Sequence, residues 1–164
     1  MKDKKFFIAV IAITALLLSG GIYWATSMKS STKSQVTAQA KAVVGENSLD
    51  WGEFGINEGD KSAFFTIKNE GPDPLQLSNV ITSCACTTAQ LIMGDKQSPA
   101  FGMHNKSAYV FEVPAGQEAQ VKVVFDPLFH GPNGVGAISR EVKISTNDLA
   151  HPELKFMVSG VVNP

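Results

Sequence analysis

The chain has 164 residues, with 14 lysine and arginine residues against 15 aspartate and glutamate, a formal net charge of −1. That balance excludes the basic footprint of a nucleic-acid binder and gives no reason to expect a strongly charged partner. Hydrophobic residues make up 44% and there are two cysteines, so the chain reads as one ordinary globular domain plus an appendage rather than a crosslink-dependent scaffold.

Lys2, Lys4 and Lys5 precede an uncharged run from Phe6 to Met28, whose apolar centre, Phe6 to Trp24, has only Thr14 and Ser19 as polar interruptions. About 20 helical residues at roughly 1.5 Å each span a hydrocarbon core of about 30 Å. Tyr23 and Trp24 fall where an aromatic belt would lie, and the leading lysines predict the N-terminus inside and the rest outside. Residues 1–28 are therefore expected to be an uncleaved, single-pass membrane anchor. A cleaved signal peptide is the rival; the small-x-small triplet Ala38-Gln39-Ala40 lies well beyond the apolar run, which favours the anchor. Either way the remainder works outside the cytoplasm, on the periplasmic or extracellular side. No cysteine follows the run to take a lipid. Residues 29–42, rich in Ser, Thr, Gln, Ala and Lys, read as a flexible linker.

From Val43 on, short β-type runs alternate with turn signals. Val43 to Leu49 leads into a bend over Asp50 to Gly55, and Ser62 to Asn69 is a strand with Phe65 and Ile67 on one face. Asn69-Glu70-Gly71-Pro72-Asp73-Pro74 is a strong turn. Leu75 to Ile81 is a strand, with Ala89 to Met93 as its continuation, and Gly94 to Lys106 is a long loop. Ala108 to Val113 and Gln120 to Asp126 are strands around the turn Pro114-Ala115-Gly116, and Pro127 to Gly136 is a second long loop. Ala137 to Thr146 and Leu154 to Val162 complete the set around Thr146-Asn147-Asp148 and His151-Pro152, where His151 reads as a structural turn residue.

Period-2 alternation predicts Val121, Val123, Phe125, Val142, Ile144, Phe156 and Val158 inside, and Lys122, Lys143 and Lys155 outside. About seven to eight such strands without an amphipathic helix predict an all-β fold, an immunoglobulin-like antiparallel β-sandwich over residues 43–164.

Between Ile81 and Ala89 stands Thr82-Ser83-Cys84-Ala85-Cys86-Thr87-Thr88, which holds both cysteines. In an extended backbone residues i and i+2 share a face, so both sulfurs are expected to point one way. Such a pair can close a small disulfide, bind a soft metal, or pack as small hydrophobes. Bridging so short a loop removes only about 1.6 kcal/mol of unfolded-chain entropy and strains the bond, making a poor staple but a reducible one.

Phe65-Thr66-Ile67-Lys68-Asn69-Glu70-Gly71, Ser83-Cys84-Ala85-Cys86-Thr87, Pro114-Ala115-Gly116 before Val121 to Pro127, and Thr146-Asn147-Asp148 together resemble a bacterial family of unknown function marked by a Ser-Cys-Gly-Cys-Thr motif. The resemblance covers Val43 to Val162 and implies an immunoglobulin-like domain akin to Hydin and major-sperm-protein domains, in the cell envelope. Ala85 stands where that family shows glycine, which implies a backbone there without positive φ. The loops around Phe101-Gly102-Met103-His104 and His130-Gly131-Pro132 are longer than in its simplest members.

Met103 and His104 in one long loop, and His130 in the other, are candidate partners for Cys84 and Cys86. Thiolate, thioether and imidazole suit copper(I), and two cysteines with two histidines suit zinc; against this, a methionine filling a gap and two solvated histidines explain the same residues. No Gly-x-Ser-x-Gly, His-Glu-x-x-His or phosphate-cradling loop occurs, so no catalytic residue is assigned and an enzyme is not expected. The expected function is a membrane-anchored binding or assembly module that meets another envelope protein. The alternative is an envelope protein that binds copper or zinc.

Overall fold

The computed structural model describes Thr14, residues 39–104 and residues 107–164. The expected anchor over 1–28, Thr14 apart, and most of the 29–42 linker lie outside the described residues. Among the described residues no helix is long and apolar enough to cross a membrane.

Ten strands form the domain: β1 (Ala42–Val44), β2 (Ser48–Gly55), β3 (Lys61–Asn69), β4 (Leu75–Thr82), β5 (Thr87–Met93), β6 (Lys96–Gln97), β7 (Val110–Val113), β8 (Glu118–Phe125), β9 (Gly136–Thr146) and β10 (Glu153–Asn163). They make two five-stranded sheets, ordered β1-β3-β8-β5-β6 and β2-β10-β9-β4-β7. The all-β expectation holds at this level, with three corrections. There are more strands than seven or eight, because Asp50 to Gly55 is part of β2 rather than a bend and Lys96–Gln97 pairs back onto β5. The sandwich is not wholly antiparallel, since β2 runs parallel to β10. The chain also does not continue straight from β4 into β5: it leaves one sheet and enters the other.

The core follows the period-2 pattern. Val121, Val123, Phe125, Val142, Ile144, Phe156 and Val158 are all buried, while Lys122, Lys143 and Lys155 are not. Most of the interior is one cluster spanning both sheets, in which the rings of Phe65 and Phe156 meet at 5.2 Å. A smaller cluster of Phe54, Ile56, Cys86, Phe125, Ile138 and Val162 fills one end.

The opposite end is where the linker joins. Ala42 pairs with Asn69 at the end of β3, and Ala40 and Ala42 are buried in the main core. Gly71 makes this approach feasible, because a Cβ there would come within 2.6 Å of Lys41 N. Asn69 is fully buried and holds the turn, donating to Asp73 O and Val113 O and accepting from Gly71 N–H. Asp148 accepts from the Ala42 N–H and Ala150 N–H, with His151 Nδ1 at 3.0 Å. Since β3 has 9 residues, the linker end and the Cys86 end are roughly 25–30 Å apart at about 3.3 Å per residue.

Candidate functional site

Cys84 and Cys86 lie in the crossover between β4 and β5, and they are joined as a disulfide with Cα atoms 5.2 Å apart. The backbone there is a turn, not the extended segment that the i, i+2 argument assumed. Hydrogen bonds set its shape. Thr82 Oγ1 lies 2.9 Å from both Cys84 O and Thr87 O, the Thr87 N–H reaches Cys84 O at 3.2 Å, and the Asp126 N–H donates to Cys86 O. Ser83 is tied to Glu141 of β9 through both its backbone and its hydroxyl. Among non-glycine residues described, only Asn79 has a positive φ, so Ala85 sits in this turn without the conformation that favours glycine.

Another crossover between the sheets, from β8 to β9, lies beside that one. Thr87 pairs with Phe125, so Cys86 lies next to Asp126, where β8 ends and the long loop begins. That loop turns through a short 3-10 helix, Gly131–Gly134, which follows directly on His130. His130 Nε2 thereby comes to 3.6 Å from Cys84 Sγ. Among the described residues, one group of three cysteine, histidine or carboxylate ligand atoms gathers within 4.8 Å of one another, that of Cys84, Cys86 and His130.

His104 is not in that group. Ala89 pairs with Val123 on one side and with Phe101 on the other, so the Met103-His104 loop follows the edge of β5 that faces away from β8. Both residues are exposed. Of the two loop histidines, the structure places His130 beside the cysteines and His104 away from them.

One residue at this site was not among the sequence candidates. Arg140 Nε donates to Cys86 Sγ at 3.2 Å, and its guanidinium carbon lies 5.7 Å from the centre of the Phe125 ring. Its signal was present: in the alternation Ile138, Arg140, Val142, Ile144, a cation occupies a core-facing position, which calls for a partner inside. The two cysteines also differ in burial, with Cys86 3% exposed and Cys84 half-buried. Leu128, Phe129 and Val135 in the neighbouring loop are exposed, at 52%, 51% and 42%. A surface groove of about 500 Å³ lies elsewhere, along Lys41 to Val44 and Glu153 to Lys155.

The solved structures similar to this chain include a protein of unknown function from Porphyromonas gingivalis W83, at 20% identity and a TM-score of 0.58. The match covers 77% of this chain and 49% of that one, so this chain spans about half its length. The ASH/PapD-like domain 7 of human CEP192 is similar at 15% identity and TM-score 0.48, covering 83% of this chain and 92% of that one. The YadV chaperone follows at 11% identity and TM-score 0.47, covering 75% and 52%. The Porphyromonas likeness shows a shared fold. Comparison with curated proteins finds no match. Residues 42–162 match the family described as "Protein of unknown function (DUF1573)", and the chain belongs to that family.

Proposed function

We propose that the domain is a binding module held outside the cytoplasm, and that it docks another envelope protein through the end carrying the disulfide. The observation that carries this reading is that Leu128, Phe129 and Val135, all exposed, stand in the same β8–β9 loop that brings His130 to Cys84. Exposed apolar residues scattered singly are ordinary, and three within one loop point to a contact surface. The location rests on the lysine-flanked apolar run Phe6 to Met28, and a closed disulfide suits an oxidising compartment. Burial of Ala40 in the core supports a domain that keeps its linker, since cleavage after Ala38-Gln39-Ala40 would remove that residue.

The copper or zinc alternative has three ligand-capable atoms in its favour. One fact weighs against it: the closed pair offers no thiolate, which is the form that binds metal.

A photo-crosslinking side chain placed at Phe129 in the full-length chain in cells tests the docking reading, with the more exposed Leu149 at the linker end as control. A discrete adduct from position 129, lost when Leu128→Asp is added and not formed from 149, is expected. Equal labelling from both positions, or none from 129, would rule out docking at this end.

A further inference from the structure

The disulfide turn is held by hydrogen bonds as well as by the sulfur–sulfur bond: Thr82 Oγ1 and the Thr87 N–H donate to Cys84 O and the Asp126 N–H to Cys86 O, and a bond closing so short a loop adds little to stability. The bond is also polarised by its surroundings. Arg140, a permanent cation, donates to the sulfur of the buried Cys86, while Cys84 is only half-buried, with its sulfur beside His130. We infer that Cys84–Cys86 is a reactive disulfide that exchanges two electrons with an external dithiol, with Cys84 as the sulfur attacked and Cys86 as the leaving sulfur received by Arg140.

The exchange has two steps. A thiolate of the dithiol attacks Cys84 Sγ, a bond forms between them, the Cys84–Cys86 bond breaks, and its electron pair goes to Cys86, where the Arg140 N–H stabilises the anion. The second thiolate then attacks the partner's own sulfur in this mixed disulfide. The partner's disulfide closes, the electron pair returns to Cys84, and the two protons given up by the dithiol end on Cys84 and Cys86. The dithiol is oxidised, this pair is reduced, and the same steps run in reverse. A stabilised leaving thiolate speeds such exchange, and access decides which sulfur is attacked. The chemistry does not depend on the apolar rim, so it stands or falls apart from the docking reading.

The test uses the full-length chain in detergent. In Cys86→Ser, glutathione disulfide should modify Cys84 about tenfold or more faster than it modifies Cys86 in Cys84→Ser, as the difference in access requires. Dithiothreitol should open the native disulfide about tenfold more slowly in Arg140→Gln, because the leaving sulfur loses its donor, with Arg140→Lys near native. Adding Arg140→Gln to Cys86→Ser should leave modification of Cys84 unchanged, which a general loss of structure would not. A reduced two-cysteine peptide that opens the bond faster than dithiothreitol assigns the dithiol to a protein, and equal rates assign it to a small thiol. Equal reactivity of the two single cysteines, or a native disulfide inert to dithiothreitol in the folded protein, overturns the proposal. If Arg140→Gln does not fold, the two single-cysteine variants decide alone.

Discussion

Asp148 accepts hydrogen bonds from the Ala42 and Ala150 N–H groups with its side chain 5% exposed, so a single carboxylate fastens β1 to the turn after β9. Burial opposes its ionisation most strongly of the separate effects. The Ala42 N–H, the His151 ring and the Ala150 N–H together outweigh burial, and the carboxyl is held below the ordinary aspartate value of 3.8. A carboxyl with a lowered folded-state pKa adds stability that is full above its unfolded value and is lost as pH falls through the folded one. Urea unfolding should therefore show the native protein weakening below about pH 4. Asp148→Asn should be less stable at pH 6 and should lose less on acidification. Parallel losses in the two proteins would mean that Asp148 does not carry this linkage.

At the scale of the strand, β8 shows how phase is set. Ala119, Val121, Val123 and Phe125 are buried in alternation with the exposed or half-buried Glu118, Gln120, Lys122 and Val124. Phe125 closes the series, stacked on Trp51 at 6.0 Å and edge-on to Phe54 at 6.3 Å. Phe125→Ala should cost about 3–5 kcal/mol, because the void sits between sheets that cannot close over it. Chemical denaturation measures this directly. A loss under about 1 kcal/mol would contradict this packing, since slipping β8 by one residue would turn the ring outward.

For the domain as a whole, the disulfide is peripheral to stability. The main core cluster contains neither cysteine, and the loop formula assigns the bond only about 1.6 kcal/mol. Reduction should leave the domain folded and lower its unfolding free energy by less than about 2 kcal/mol, read from urea curves with and without a phosphine reductant. Unfolding on reduction would make the bond a staple and remove the reason for reading it as a working group.

The strands, the inward positions and the special turns were legible in the sequence because they depend on local rules. Side chains alternate along a strand, and Asn69 to Pro74 breaks both regular structures. The cysteine pair and His130 could be named as candidates from their chemistry. Their meeting could not, because it depends on long-range register: Thr87 beside Phe125 brings the two crossovers together, while Phe101 on the other edge of Ala89 takes His104 along the opposite side. The bend at Cys84 and the parallel pairing of β2 with β10 are likewise settled by partners far along the chain. The inward phase of Arg140 was written in β9, but only the packed sheets decided that the atom it meets is the Cys86 sulfur. Period-2 patterning tells which face a residue takes, and tertiary pairing tells what waits on that face.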